Sequence, residues 1–306
     1  MTLWSKSGEA PQSHAPAPQA AAATGDKLIA QAFRRARDEE RAALMPYMMA
    51  DYPDREASLA VAAAYVDSGA DLIELGVPFS DPLADGPTIH AAATAALAEG
   101  ATLETALEVC ESVSARVPVV LMAYANMVIG PAAARRVRGV SDRPLAHDGA
   151  VEFARRAAAA GAAGAIVPDM PLEEAAEVRE ALAAEGLALV PLLAPTTPPE
   201  RRAEICAVAR GFVYVVSTVG TTGEREALPA GLAELVAATK AATEVPVAVG
   251  FGIGTAEQAA QVGKLADGVI VGSRLVRATG EAGSAEAAAA AVGEFLREAR
   301  SALAAG

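Results

Sequence analysis

Residues 71–98 read DLIELGVPFSDPLADGPTIHAAATAALA. The segment opens as a short apolar strand, Leu72 to Leu75, and then breaks at Gly76, Pro78, Pro82, Gly86 and Pro87 into a loop that can continue neither a strand nor a helix. It resumes as an alanine-rich helix from Thr88 to Ala98. Side chains alternate along a strand, so Ile73 and Leu75 share one face while Leu72 and Glu74 share the other. An apolar run of this kind is usually buried on both faces, which makes Glu74 a desolvated acid whose pKa is pushed upward. Asp85 supplies a second carboxylate on the loop that follows. One such group can be the tuned acid or base and the other the charge stabiliser. The spacing fits equally a solvated Glu74 at the strand end and an Asp85 that caps the helix.

The same strand-then-helix unit recurs along the chain. Apolar runs at Leu44–Met49, Leu72–Leu75, Val119–Ala123, Ala165–Val167, Ala188–Leu193, Phe212–Val216, Val245–Val249 and Gly268–Val271 alternate with helical segments such as Arg55–Asp67, Leu103–Arg116, Gly149–Ala160, Leu172–Glu185, Pro198–Ala209, Leu228–Ala242, Thr255–Val262 and Ala285–Ala304. Strict alternation forces parallel strands with right-handed crossovers, and eight of them suit a closed (β/α)8 TIM barrel better than an open sheet. An amphipathic helix carrying Leu28, Ile29, Ala32, Phe33 and Ala36 precedes the first run. Residues 1–26, with Pro11, Pro16, Pro18 and no apolar periodicity, read as a disordered tail, leaving 27–306 as one barrel domain.

A barrel of this type keeps its chemistry at the C-terminal ends of its strands, which places Glu74 and the loop to Pro87 at the mouth. Gly220-Thr221-Thr222-Gly223 follows the sixth run, Gly250-Phe251-Gly252-Ile253-Gly254 the seventh and Gly272-Ser273 the eighth. Glycines there let backbone N–H groups approach an anion, and a short helix starting at Ser273 would aim its positive end at it. The spacing does not match a dinucleotide fingerprint. These features point to acid–base chemistry on a small phosphorylated substrate.

Composition narrows the remaining classes. The 306 residues are 53% hydrophobic but only 4% aromatic, and the net charge of −13 argues against nucleic-acid or anionic-membrane partners. Cys110 and Cys206 lie in apolar helical segments without metal-ligand spacing and read as buried free thiols of a cytoplasmic protein. The histidines, His14, His90 and His147, form no cluster, so no metal is expected. No stretch has the ~20 apolar residues of a membrane helix.

The run Glu74-Leu-Gly-Val-Pro-Phe-Ser-Asp-Pro-Leu-Ala-Asp-Gly-Pro87 resembles the hallmark of the tryptophan synthase alpha subunit. The resemblance continues, in order, through Leu44-Met-Pro-Tyr47, Tyr124-Ala-Asn126, Val167-Pro-Asp-Met-Pro171, Gly211-Phe-Val-Tyr214, Thr222-Gly223, Gly250-Phe-Gly252 and Gly272-Ser273. It implies retro-aldol cleavage of indole-3-glycerol phosphate to indole and glyceraldehyde 3-phosphate. Glu74 would transfer the protons, and Asp85 would stabilise charge developing on the indole N–H. By the same resemblance Tyr47, Tyr124 and Tyr214 line the indole pocket, although barrel packing alone would also account for tyrosines there. Gly223, Gly252, Gly272 and Ser273 form the phosphate cradle, and Thr222 belongs to a lid loop. Asp81, Pro82, Asn126, Asp169 and Pro171 face a beta subunit in an alpha2-beta2 heterotetramer. That partner carries pyridoxal phosphate and receives the indole, and this chain has no cofactor of its own.

The sequence departs from the family pattern at three places. Asp51-Tyr52-Pro53 replaces a run that ordinarily begins with glycine, Thr221 stands for the usual valine, and residues 131–148 lengthen the loop after the third run with Arg135, Arg136, Arg138 and Arg143. A stand-alone lyase, a silent subunit kept to activate its partner and another phosphate-binding barrel such as a sugar-phosphate isomerase are the rival functions. Intact Glu74 and Asp85 speak against silence, and the isomerase leaves the Glu74–Pro87 run unexplained.

Overall fold

The computed structural model describes residues 24–130, 145–216, 229–250 and 252–305. Its strands are β1 (Ala43–Met49), β2 (Ile73–Gly76), β3 (Val119–Met122), β4 (Gly164–Ile166), β5 (Ala188–Leu189), β6 (Leu192–Leu193), β7 (Val213–Val216), β8 (Val247–Gly250) and β9 (Gly268–Val271). All pair in parallel, in the order β5-β4-β3-β2-β1-β9-β8-β7-β6.

The two ends of that order, β5 and β6, are pieces of one stretch. Val190 donates to Ala165 O at 2.9 Å on the β4 side, and Pro191 O accepts from Tyr214 N at 2.9 Å on the β7 side. The sheet therefore closes into an eight-stranded barrel through residues 188–193. The fifth run, expected as one continuous strand, is split because Pro191 has no N–H to continue the ladder.

Alternation along the strands sorts the apolar residues into two layers. Met45, Leu72, Val120, Ile166, Val190, Phe212, Ala248 and Ile270 fill the barrel interior. Leu44, Ile73, Leu75, Val119, Leu121, Val213, Val249 and Val271 pack outward under the helices. Helix α1 (Gly25–Asp38) presents Ile29, Phe33 and Ala36 to the interior cluster and plugs the N-terminal end, with Phe33 and Phe212 ring centroids 5.8 Å apart. It starts at Gly25, inside the segment read as tail: Gly25 N donates to Gly186 O at 2.7 Å, and a Cβ on Gly25 would lie 1.8 Å from Ala163 O.

Helices α2 (Arg55–Asp67), α3 (Pro87–Ala98) and α4 (Leu103–Ser114) follow the first two strands. Asp54 caps α2 through Ala57 N, and Thr102 and Thr105 form a reciprocal capping box on α4. A five-residue helix not foreseen from the sequence, α5 (Ala125–Ile129), follows β3, and α6 (Leu145–Ala159) takes up the last four positions of the 131–148 segment expected as loop. The rest of that segment lies outside the described residues. Then come α7 (Ala176–Ala184), α8 (Pro199–Ala207), α9 (Leu232–Lys240), α10 (Ala256–Gly263), α11 (Ser273–Glu281) and α12 (Ala285–Ala304). No described helix is long and apolar enough to cross a membrane.

At the closed end, Arg41 and Asp71 form a buried two-point pair, Nη1 to Oδ2 at 2.5 Å and Nη2 to Oδ1 at 2.9 Å. Asp71 Oδ2 also accepts from Leu44 N at 2.8 Å, which ties the approach to β2 onto β1.

Candidate active site

Strand β2 carries Leu72 and Glu74 into the barrel and Ile73 and Leu75 out of it, as the alternation requires. Glu74 pairs in register with Tyr47 of β1 and Val120 of β3, and it is only 2% exposed. Its Oε2 is buried without a hydrogen-bond partner among the described residues. A carboxylate in that position is poorly solvated. Burial first, and the nearby charge of Asp85 second, push the Glu74 pKa up to about 8.

Asp85 is half-buried on the loop between β2 and α3. Burial raises its pKa to about 6, opposed by a hydrogen bond from the Tyr124 hydroxyl and by the charge of His90. It does not cap α3: the N-cap is Gly86, which has no side chain to do so. Tyr124 clamps the loop instead. Its hydroxyl accepts from Ala84 N at 3.1 Å and donates to Asp85, while its ring stacks on Phe79 with centroids 5.1 Å apart.

Tyr47 and Tyr214 enter the interior from opposite sides of the β2 and β8 ends. Their hydroxyls lie where Gly76 and Gly250 leave room, since a Cβ on either glycine would come within 2.1 Å of Tyr47 Oη or 2.4 Å of Tyr214 Oη. Burial, followed by the charges of Glu74 and Asp85, raises both phenols well above their ordinary pKa and keeps them neutral. The site thus holds two carboxylates of separated acidity among three tyrosines. Near neutral pH these shifts favour a protonated Glu74 and an ionised Asp85, one able to deliver a proton and the other able to hold a positive charge.

Of the expected cradle, Gly252 follows β8, and Gly272 is the N-cap of α11 with buried Ser273 as its first residue. The start of that helix directs unsatisfied N–H groups and a positive dipole end toward the mouth, the arrangement that holds a phosphate. Thr222 and Gly223 lie outside the described residues. On the same C-terminal face, Asp81 and Pro82 stand on the β2 loop, Asn126 on α5, and Asp169 and Pro171 after β4. Asp169 Oδ1 accepts from Ala125 N at 2.8 Å and so joins two of these loops. Leu83, 88% exposed beside Pro82, is an apolar member of this surface that sequence reasoning missed, because loops have no periodicity to mark which side chains stand out from the surface. Ile89 of α3 and Met122 of β3 pack with Tyr47 and Met49 at the mouth; both fall within segments legible as helix and strand, but periodicity does not tell a mouth residue from ordinary core.

No group of three metal-ligating side chains occurs among the described residues. A cavity of about 730 Å³ lies at the opposite, N-terminal end, between α1 and the α9–β8 connection, and contains none of the expected site residues.

The raised Glu74 pKa has a consequence for stability. The folded state holds this proton more tightly than the unfolded chain, so the associated stability is complete below the ordinary value of 4.5 and is lost as pH rises through about 8. Glu74→Gln cannot ionise. Thermal unfolding across this pH window is expected to show the variant gaining on the parent as pH rises, and parallel curves would contradict the buried acid.

Barrel, buried acid and helix start together make the C-terminal mouth the candidate active site of an α/β-barrel protein. The family model for the tryptophan synthase alpha chain matches residues 33–304. The tryptophan synthase alpha chain of Synechococcus sp. (strain CC9902) is 44% identical over 277 residues, covering 90% of this chain and 96% of that one. That of Chloroflexus aggregans is 43% identical over 251 residues, covering 81% and 88%. The structure of Mycobacterium tuberculosis tryptophan synthase superposes with a TM-score of 0.78 at 38% identity over 91% of this chain and 98% of that one. The subunit alpha of Legionella pneumophila does so with 0.74 at 33% identity, over 92% and 99%. The chain belongs to the tryptophan synthase alpha chain family.

Proposed function

We propose that this chain is the lyase subunit that cleaves indole-3-glycerol phosphate to indole and glyceraldehyde 3-phosphate for tryptophan biosynthesis. The observation that carries the residue roles is the buried, unpartnered Glu74 carboxyl beside Asp85 inside the barrel mouth. Protonated Glu74 delivers its proton to indole C3, and ionised Asp85 holds the positive indole N–H that results. The Glu74 carboxylate then takes the proton of the adjacent side-chain hydroxyl. The C3–carbon bond breaks, its electron pair returns to the indole ring, and the aldehyde leaves. Glu74 ends protonated, as it began. Tyr47, Tyr124 and Tyr214 wall the indole, while Gly223, Gly252, Gly272 and Ser273 take the phosphate. Thr222 closes over the loop of Asp85 and excludes water.

Asp81, Pro82, Leu83, Asn126, Asp169 and Pro171 form the docking face for a beta subunit, in a cytoplasmic alpha2-beta2 assembly whose pyridoxal phosphate belongs to the partner. The direct test is to incubate the purified protein with indole-3-glycerol phosphate, with and without a beta subunit, and to measure indole. No indole in either case would defeat the assignment. Full activity alone would make the chain a stand-alone lyase.

The arginine-bearing segment 131–148 follows α5 of this face, and we propose that it contacts the partner. Deleting it is expected to weaken beta-subunit binding about tenfold or more, the loss of a contact worth ~1.4 kcal/mol, while sparing the isolated lyase rate. Unchanged affinity in a titration with the beta subunit would remove the segment from the interface.

A further inference from the structure

The split of the fifth strand leaves a cavity. The β4–β5 ladder ends with the Val190 N to Ala165 O bond, the chain from Pro191 pairs with β7, and the cavity lies where this change of partner faces α7 and α8. The opening encloses about 390 Å³, within the range of roughly 300–1,000 Å³ that small-molecule sites occupy. Val167, Met170, Leu189, Pro191, Ile205 and Val208 give it apolar walls, and neither Glu74 nor Asp85 lines it.

Three charged side chains reach this cavity: Asp169, Arg179 and Arg201. Arg201 is already neutralised, its Nη1 and Nη2 lying 2.5 and 2.6 Å from the two Glu173 oxygens and its Nη1 3.1 Å from Glu204. Asp169 is exposed, with Oδ1 engaged by Ala125 N. Arg179 differs. It is half-buried on α7 and has no ion pair or side-chain hydrogen bond among the described residues, which for a partly desolvated guanidinium is a costly way to stand. A flat fork of donors beside an apolar chamber suits a planar apolar body ending in a carboxylate.

We propose that the cavity between α7 and α8 binds a small aromatic carboxylate, its ring between Met170, Pro191 and Ile205 and its charge on Arg179. The assignment is independent of the acid–base reading of Glu74, whose pocket lies inside the barrel.

Calorimetric titration of the full chain with 2-naphthoate and with its neutral counterpart 2-naphthamide tests this. The parent is expected to bind the acid at least about tenfold more tightly than the amide, the difference made by a charge-assisted bond. Arg179→Gln should bring the acid down to the amide's affinity, and Arg179→Lys should restore part of the difference. Ile205→Trp, which fills the chamber, should lose both ligands. Far-UV circular dichroism and melting curves verify that each variant is folded. Absence of binding in the parent, equal binding of acid and amide, or an unchanged preference in Arg179→Gln would each overturn the proposal.

Discussion

Replacing Glu74 by glutamine is expected to lower indole release by roughly 10²–10⁴-fold, about 3–5 kcal/mol of barrier, because that is what general acid–base catalysis contributes. The glutamine keeps the size and hydrogen-bonding capacity of the side chain, so binding of a glycerol-phosphate analogue should stay near that of the parent. The proposed phosphate end, at Gly252, Gly272 and Ser273, follows β8 and β9 and is not part of β2. The loss therefore belongs in kcat. Asp85→Asn should behave differently, since its carboxylate is also what the Tyr124 hydroxyl holds. It is expected to reduce kcat and to loosen the loop that carries the proposed docking residues, which a weaker response to a beta subunit would register. A Glu74→Gln rate above about a tenth of the parent's would remove Glu74 from the chemistry.

The largest stability effect is expected at Arg41. Its guanidinium is buried and holds Asp71 at two points, while Glu39 accepts from its Nε at 2.9 Å. Arg41→Met strips the buried Asp71 carboxylate of both guanidinium bonds, leaving it only the Leu44 N–H and the longer ion pair to Arg300 Nη1 at 3.8 Å. Breaking such a pair costs about 3–5 kcal/mol, a large part of the ~5–15 kcal/mol that holds a typical domain. Urea unfolding should show the midpoint falling with an unchanged slope. Arg41→Met combined with Asp71→Leu should recover some of the loss, because no buried charge is then stranded, although Leu44 N loses its acceptor and Arg300 and Glu39 each lose a partner. A single variant as stable as the parent would mean that Asp71 reaches water.

Much of this architecture can be read directly from the residues, and the exceptions have identifiable causes. Period-two alternation located the inward face of β2 and hence Glu74, because a one-residue shift would have turned Leu72 outward as well. The split at Pro191 was visible as a proline inside an apolar run, yet only the pairing partners on either side reveal that the two pieces face different neighbours. The five residues of α5 are too few to show helical periodicity.

Asp51 is the more instructive case. Its backbone has φ +56°, the left-handed region that glycine fills most easily, so the family's glycine at this position has a conformational reason. Aspartate tolerates that conformation better than most side chains. Here it is held by a hydrogen bond from Asp51 N to Ser58 Oγ at 3.0 Å and by the Thr105 hydroxyl, which donates to its carboxylate. The Tyr124 clamp on Asp85 left no trace in sequence spacing, since it joins two loops that only the barrel brings together.

The plug formed by α1 bears on the order in which the newly made chain can fold. Its contacts are distant in sequence: Asp26 pairs with Arg210 at 2.8 Å, Phe33 meets Phe212, and the strand that follows it pairs Ala43 with Gly268. The helix is synthesised first, but its binding surface does not exist until residue 212 has left the ribosome, and the ring cannot close until residue 268 has. During that interval Ile29 and Phe33 remain unburied on the nascent chain, a period set by translation speed during which a chaperone, rather than the barrel, would have to shield them.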